Sequence, residues 1–206
     1  MSVIVGSALQ ELVVGQAAVS PILDPEQLGH GSVDVRLGSY FLLSDQTRQV
    51  VVDSHRPMSE QPSQRHVYVR MGDYFVLHPG AFALAVTLEY VKLPADVFAL
   101  VEGRSSVGRT GLLIATASLI HPNYAGCPTL ELVNAGEIPI QVYPGDLIGQ
   151  LVLLETSSAM QVGPAAAESA PEFTVSRYRV AIEPELSKWH RDMAKDRLLR
   201  SRFFSA

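Results

Sequence analysis

The sequence predicts an all-β-dominated protein, arranged as a sandwich, jelly roll or barrel. Short runs rich in Val, Leu, Ile, Tyr and Phe recur from Ser32 onward, and Gly, Pro, Asp or Asn separate them at a spacing of roughly 8–12 residues. This spacing favours antiparallel β architecture over alternating β/α units. The chain has 206 residues, of which 47% are hydrophobic and 18% charged, so it can build one substantial core.

The chain begins with a predicted short helix. Ser7 precedes the run ALQELVV and is a residue type that caps helix N-termini, while Gly15 is a typical stop signal. Residues 20–30 contain Pro and Gly and are expected to form a loop. The β-prone runs that follow are SVDVRLGSYFLL, QVVVD, HVYVRM, YFVLHPGAFALAVTLEYVKL, FALVEG, LLIATASLI, PTLELV, PIQVYPG and LIGQLVLLE.

Turn residues punctuate these runs. The predicted turns are His78–Gly80, Leu93–Asp96, Asn134–Gly136 and Tyr143–Asp146, each built from residue types that favour tight turns.

Composition divides the chain into three parts. Residues 1–156 carry the β-prone runs and are expected to form one domain, with a polar surface excursion at residues 53–66. Residues 157–171 are rich in Ser, Ala and Pro and predict a flexible linker. In the remaining part, 172–206, apolar residues recur at helical spacing between Glu183 and Phe204, which predicts a C-terminal amphipathic helix.

Charge and cysteine content narrow the class of function. The net charge is −5, which argues against a nucleic-acid-binding protein that works through a general basic surface. Cys127 is the single cysteine, so the chain has no internal disulfide and fits a reducing cytoplasm. The N-terminus lacks the basic region of a signal peptide, and no apolar run approaches the roughly 20 residues of a membrane helix. We therefore expect a cytoplasmic protein without a membrane partner.

The segment from Gly103 to Arg109 predicts an anion site. Arg104 and Arg109 supply guanidinium groups, Ser105 and Ser106 supply hydroxyls, and the glycines allow the backbone to approach a ligand. If Ser105 opens a short helix, backbone N–H groups add to the site. The spacing alone is equally compatible with a serine-capped turn carrying two solvated arginines.

Glu131 is the only charge in the apolar run TLELV. A carboxylate on a central strand is costly unless it is paired or used, and a shifted pKa would suit a general acid or base. An exposed glutamate on an edge strand is the alternative. Asp34 and Arg36 alternate along one strand and are expected to form a structural ion pair. The zinc-deaminase signature is absent, since the chain lacks His-x-Glu with Pro-Cys-x-x-Cys.

Four segments resemble the dCTP deaminase family, within the trimeric dUTPase-like superfamily, in order and spacing. They are SVDVRLG (32–38), LHPGAFALAVTLEYVKLPAD (77–96), EGRSSVGRTGLL (102–113) and YAGCPTLELVNAGEIPIQVYPGDLIGQL (124–151). The resemblance implies a distorted β-barrel or jelly roll and a homotrimer with active sites between subunits. It also implies a zinc-free reaction, with Mg²⁺ carried by the triphosphate of a deoxycytidine nucleotide.

The resemblance assigns roles to individual residues. Arg104, Ser105 and Ser106 match the segment that contacts the triphosphate and orients the attacking water, and Arg109 matches the catalytic arginine. Glu131 matches the catalytic glutamate, which relays a proton from water toward N3 and the departing ammonia. Three further positions match residues near the nucleotide: Thr129 and Leu130, whose backbone meets the base, and Gln150.

The implied reaction converts dCTP and water to dUTP and ammonia, which would make the protein a hydrolase acting on a cyclic amidine C–N bond. One alternative is a bifunctional enzyme that continues from dUTP to dUMP and pyrophosphate. Another is a catalytically silent, nucleotide-binding regulatory homologue. Which cytosine nucleotide is accepted stays open at this point.

Two departures from the family pattern bear on these alternatives. Ile120-His121-Pro122-Asn123 stands where the family usually has Ile-Asp-Pro-Gly, so His121 occupies a nucleotide-contacting position and counts against diphosphate hydrolysis. The run around Lys188 resembles the family's C-terminal lid only loosely. Tyr178 and Lys188 are the lid candidates, and an arm that packs on a neighbouring subunit is the alternative for this tail.

Overall fold

The computed structural model describes residues 2–44, 52–53, 55–56, 64–115, 119–157 and 182–184. Within these ranges the chain is mostly β-structure. Its strands are β1 (Ser2–Val3), β2 (Val19–Ser20), β3 (Val33–Ser44), β4 (Gln64–Tyr68), β5 (Phe75–Leu77), β6 (Phe82–Thr87), β7 (Tyr90–Lys92), β8 (Val97–Gly103), β9 (Leu112–Ile114), β10 (Leu119–Ile120), β11 (Ala125–Gly126), β12 (Thr129–Asn134), β13 (Ile140–Val142) and β14 (Leu147–Glu155). Most of the predicted surface excursion, the linker and the C-terminal helix lie outside the described residues.

The predicted N-terminal helix is present, but its start differs from the expectation. Helix α1 (Gly6–Gln10) continues into a π-helical turn (Glu11–Gly15), so it ends at the predicted glycine. The expectation that Ser7 caps the helix was wrong, because the capping position is Val5 and no side chain caps it. Gly6, with a φ of 57°, turns the chain into the helix before Ser7 is reached, and its N–H is bonded to the His30 carbonyl.

A nine-stranded sheet organises the fold. Its strand order is β10-β8-β14-β3-β6-β12-β9, with β1 paired to β14 and β4 paired to β3. β3 belongs to two parts of this sheet, since its start pairs with β14 and its remainder with β6 and β4. The pairing shifts register between Leu37 and Phe41, and a Cβ at Gly38 would lie 3.0 Å from the carbonyl oxygens of Val86 and Thr87. A glycine is therefore needed where β3 passes from one part to the other.

The sheet curls on itself. β8 and β9 lie near opposite ends of the strand order, yet only the short helix α2 (Ser105–Gly108) and a few loop residues join them. The Ile114 side chain reaches β14, where its terminal carbon lies 3.2 Å from the point that a Cβ of Gly149 would occupy. The prediction of a barrel-like or jelly-roll β fold is confirmed in this curled sheet.

One hydrophobic core fills the inside of the curl. Strands β12 and β14 alternate buried and partly exposed residues, so Leu130, Leu132, Leu151 and Leu153 point inward and are fully buried. Helix α1 adds Leu9 to the same core. This alternation is the period-2 pattern that the sequence displays, and it sends Glu131 and Gln150 to the opposite face of their strands.

The predicted turns are present. The Ala81 N–H donates to the His78 carbonyl, and the Asp146 N–H donates to the Tyr143 carbonyl, with positive φ values of 71° at Gly80 and 97° at Gly145. Within the described ranges, none of the helices has the length and apolar character that crossing a bilayer would require.

Candidate active site

Helix α2 presents the arginine- and serine-rich segment at the surface. Arg104 has extended backbone at the capping position, and its carbonyl accepts the N–H groups of Val107 and Gly108 at 3.0 and 2.9 Å. The predicted helix opening at Ser105 is confirmed, although it is a single turn. Ser105, Ser106 and Arg109 are exposed, so their hydroxyls and guanidinium are available to a ligand.

Arg104 is held by a carboxylate from another strand. Its Nη2 lies 3.2 Å from Oδ2 of Asp34, and the two side chains are only 31% and 19% exposed. In the sheet, Asp34 of β3 lies opposite Gln150 of β14, which in turn lies opposite Glu102 of β8. The guanidinium therefore reaches across β14 to its partner.

The expected ion pair between Asp34 and Arg36 was wrong. The Arg36 guanidinium instead donates to the Gly145 carbonyl at 2.8 Å and to Oε1 of Gln27 at 3.4 Å. These two side chains of one strand face have separate partners in a turn, a short helix and a helix cap, which the sequence of a single strand does not reveal.

Gln150 is oriented by a hydroxyl. The Ser32 Oγ–H donates to Oε1 of Gln150 at 3.0 Å, and both side chains are partly buried. With its carbonyl oxygen bonded in this way, the Gln150 amide group turns its NH₂ away from Ser32. A donor at this place suits a phosphate or a hydroxyl of a nucleotide.

Glu131 lies on an interior strand. β12 pairs with β6 on one side and with β9 on the other, and Glu131 is opposite Leu84. The edge-strand alternative is therefore wrong. Burial raises the pKa of the Glu131 carboxyl above its ordinary value of 4.5, because the apolar surroundings disfavour the charged form. A half-buried carboxyl with a raised pKa is suited to acid–base chemistry.

The neighbours of Glu131 on β12 divide by face. Thr129 is partly exposed on the Glu131 face, whereas the Leu130 side chain is fully buried in the core. A ligand could therefore meet Leu130 only through its backbone, as the family resemblance implies. From Leu132 to Asn134, β12 pairs with β9. The Ala115 N–H, just after β9, donates to the Glu131 carbonyl at 2.8 Å.

His121 opens a tight turn at the other end of the sheet. The Tyr124 N–H donates to the His121 carbonyl at 3.2 Å, and Asn123 has a φ of 62°. Pro followed by a residue with positive φ is the pattern of a type II turn, which explains why Asn replaces Gly here with little cost. The His121 ring packs against Phe98, with ring centroids 5.8 Å apart.

Asn123 Nδ2 is buried without a hydrogen-bond partner among the described residues. His121 and Asn123 thus lie beside β10, the strand at the opposite end of the sheet order from β9 and β12.

The candidate residues form two groups on one chain. The first group comprises Arg104, Ser105, Ser106, Arg109 and Gln150, around β8, α2 and β14. It is here called the donor cluster, because its side chains offer hydrogen-bond donors. Glu131 and Thr129 form the second group on β12, which is three strands from β14 in the strand order. Tyr178 and Lys188, the lid candidates, lie outside the described residues.

A buried polar network around Glu89 was not predicted. Glu89 is fully buried and accepts the Gln27 side-chain N–H at 3.0 Å and the Arg36 backbone N–H at 2.8 Å. Burial raises the pKa of the Glu89 carboxyl, while these hydrogen bonds oppose the shift. Burial and the nearby Glu89 charge also raise the pKa of the Cys127 thiol, which makes it a poor nucleophile. The only sequence signal was a lone Glu in an apolar run, LEYV.

The part of the chain that the structure describes contains no group of three or more His, Cys, Asp or Glu side chains that could hold a metal ion.

Comparisons with known proteins match the part of the chain that contains the candidate site. A family model described as dCTP deaminase-like matches residues 4–156. A "dCTP deaminase, dUMP-forming" of Clavibacter michiganensis subsp. michiganensis is 39% identical over 185 residues, covering 89% of this chain and 90% of the relative. A "dCTP deaminase" of Natronomonas pharaonis is 40% identical over 179 residues, covering 84% of this chain and 87% of the relative.

A solved structure supports the fold. The 2'-deoxycytidine 5'-triphosphate deaminase from Agrobacterium tumefaciens matches with a TM-score of 0.56 and 22% identity. The match covers 73% of this chain and 47% of that chain, so it spans about half the length of the solved protein.

Proposed function

Because the chain belongs to the dCTP deaminase-like family, we propose that it hydrolyses the exocyclic C–N bond of the cytosine in dCTP. The observation that carries this proposal is Glu131, which lies half-buried on an interior strand with a raised pKa. Such a carboxyl can take a proton from water and pass it to the base. Ammonia is the first product, and dUTP is the nucleotide that forms with it.

The donor cluster binds the substrate in this proposal. The Arg104 guanidinium and the exposed hydroxyls of Ser105 and Ser106 offer donors to the triphosphate, and the Gln150 amide adds another. Mg²⁺ would be held by phosphate oxygens, since this group offers donors rather than cation ligands and the nearby Asp34 carboxylate is bonded to Arg104.

The reaction needs a carboxylate and a guanidinium beside the cytosine ring. Glu131 would take one proton from the water as it adds to C4 and deliver it to N3. It would then take the hydroxyl proton of the tetrahedral intermediate and deliver it to the amino group, so that the C4–N bond breaks, the C4 carbonyl forms, and dCTP and water become dUTP and ammonia. Arg109, exposed at the end of α2, would stabilise the charge that develops during addition.

A homotrimer with shared sites would bring the two groups together. On one chain they lie on separate parts of the curled sheet, and each part leaves large apolar side chains exposed: Leu119 is 47% exposed near the first part, and Phe82 and Leu113 are each 47% exposed beside Glu131. Contact between copies would cover these side chains and place Glu131 of one chain beside the donor cluster of another chain. A cytoplasmic location belongs to the same proposal.

The released nucleotide is the second point of the proposal. The sequence ranks dUTP first because His121 replaces the family aspartate. The name of one relative supports the other product, since the Clavibacter protein, which is 39% identical over 89% of the chain, is named as dUMP-forming. We therefore favour a bifunctional enzyme that continues to dUMP and pyrophosphate.

One assay separates these readings. Purified protein is incubated with dCTP and Mg²⁺, and ammonia, dUTP, dUMP and pyrophosphate are each measured. Ammonia with dUMP and pyrophosphate is the expected result, and ammonia with dUTP alone would limit the enzyme to deamination. A protein that binds dCTP but releases no ammonia would be the silent regulatory homologue instead.

A further inference from the structure

We propose that Asp34 and Ser32, at the start of β3, are positioning residues that hold the two nucleotide-binding side chains Arg104 and Gln150. This inference rests on the proposed function and adds two residues to its site. Neither residue is expected to touch the substrate directly. Each acts through a contact to a side chain of another strand.

The Arg104 contact is selective. Glu102 lies two residues away along the same chain and in the same cross-strand row as Asp34, yet the ion pair that Arg104 forms is with Asp34 at 3.2 Å. Glu102 is exposed, whereas the Asp34 side chain is only 19% exposed. A carboxylate that is less accessible to water attracts a guanidinium more strongly, and it fixes a long, flexible side chain in one direction.

The contact leaves Arg104 able to bind. Nη2 of Arg104 lies 3.2 Å from the Asp34 carboxylate, and the Arg104 side chain remains 31% exposed. The other guanidinium nitrogens still carry N–H groups for phosphate oxygens. Asp34 therefore orients the guanidinium, which lowers the entropy lost when a triphosphate binds.

The Gln150 contact has the same logic. Ser32 lies just before β3, and its hydroxyl donates to the Gln150 carbonyl oxygen at 3.0 Å. Gln150 itself lies opposite Asp34 in the sheet. Ser32 and Asp34, two positions apart, thus hold the donor side chains of Gln150 and Arg104. Both donors lie more than 60 residues further along the sequence.

Double-mutant cycles test the proposal in the full-length protein with dCTP and Mg²⁺. Asp34→Asn keeps the shape of the side chain and removes its charge. We expect its KM and its Kd for dCTP to rise about tenfold, with kcat changed less than about threefold. Combined with Arg104→Gln, the Asp34→Asn change should add less than about twofold, because there is no guanidinium left to hold.

The Ser32 arm and a control complete the design. Ser32→Ala should raise KM about threefold, and this effect should vanish in Gln150→Ala protein. Glu102→Gln is the matched control, since it removes a carboxylate from the same row without removing an ion pair to Arg104. It should change KM less than about twofold.

The outcomes separate this inference from the proposed function. Wild-type turnover with an unchanged Asp34→Asn variant overturns the positioning role and leaves the function standing. An effect that persists in the Arg104→Gln background, or one that Glu102→Gln reproduces, overturns it too. If the wild type binds dCTP without turnover, the same cycle is measured in Kd. A wild type that does neither overturns both proposals.

Discussion

At the scale of single residues, Glu131 combines a charged group with an apolar environment. It lies between Leu130 and Leu132, whose side chains are fully buried on the other face of the strand, and it is opposite Leu84 on β6. Burial raises the pKa of its carboxyl. A carboxylate with a raised pKa is a stronger base once ionised, so burial makes this residue better suited to proton transfer.

Replacing Glu131 by Gln tests this role. We expect kcat for ammonia release to fall at least about 100-fold, because the amide keeps the shape but accepts no proton. Glu137→Gln is the control, since Glu137 is exposed in the turn after β12. A Glu131→Gln protein with near wild-type turnover would contradict the proposed mechanism.

The pH profile gives a second measurement on the same residue. The base works in its ionised form, so activity is lost as pH falls through the folded-state pKa of Glu131. Because burial raises that pKa, the acid limb of kcat/KM should lie above pH 4.5, the ordinary value for a glutamate. An acid limb at or below that value would show that another group limits the rate.

Glu89 predicts a pH dependence of stability rather than of activity. Its raised pKa means that the folded protein keeps a proton which the unfolded chain has already released. This contribution is fully present below the ordinary glutamate pKa of 4.5 and is lost as pH rises through the folded pKa. Relative to a Glu89→Gln variant, the wild type should lose free energy of unfolding as pH rises above 4.5, the ordinary glutamate pKa. Urea unfolding of both proteins measures the difference, and a constant difference would contradict the prediction.

At the scale of elements, the end of α2 is fixed against the turn that follows β12. Gly111 has a φ of 92°, and a Cβ there would lie 2.9 Å from the Gly136 backbone. The Ala135 N–H also donates to the Gly111 carbonyl at 2.8 Å. Asn134 secures the same turn, because its buried amide donates to the carbonyls of Leu77 and Ile138.

A matched pair of glycine substitutions separates backbone strain from crowding. Gly72 has the same φ of 92° as Gly111, but nothing lies within 4 Å of its missing Cβ. Gly72→Ala should therefore cost about 1–2 kcal/mol from backbone strain alone, and Gly111→Ala about 3 kcal/mol or more. Chemical denaturation measures both free energies of unfolding. Equal losses would show that the contact with Gly136 relaxes without cost.

At the scale of the whole molecule, Glu131 and the donor cluster belong to different parts of the sheet, which bears on how active sites form in an assembly. If sites form between copies, two inactive variants should complement each other. Glu131→Gln and Arg109→Gln protomers, each inactive alone, should regain about a quarter of wild-type activity per site when randomly mixed in one trimer, because each shared site draws the two residues from different copies.

The same mixture gives a clear contrary result. If both residues act within one chain, no site in the mixed assembly is intact and activity stays at the level of the single variants. Light scattering on the wild type checks the trimer independently, and Leu119→Glu, which places a charge on an exposed apolar position, should weaken it.

Local sequence by itself determined the fold class, the N-terminal helix, most turns and the helical turn that opens at Ser105. These features follow from alternation along one strand or from turn residues a few positions apart, so neighbouring residues carry the information. The resemblance of four segments to one family added the expected role of Glu131. The start of α1 was missed because Gly6, with a φ of 57°, turns the chain into the helix one residue before Ser7, and no side chain caps it.

Only the tertiary structure decided which side chains act on one another. Asp34, Arg104 and Gln150 meet because β3, β14 and β8 lie side by side, and Glu131 is interior because β6 and β9 flank its strand. Likewise Glu89 is bonded to the Gln27 side chain and to the backbone N–H of Arg36 in β3. Strand order joins positions that are tens of residues apart, and the energy of such a contact depends on burial, which no local pattern contains.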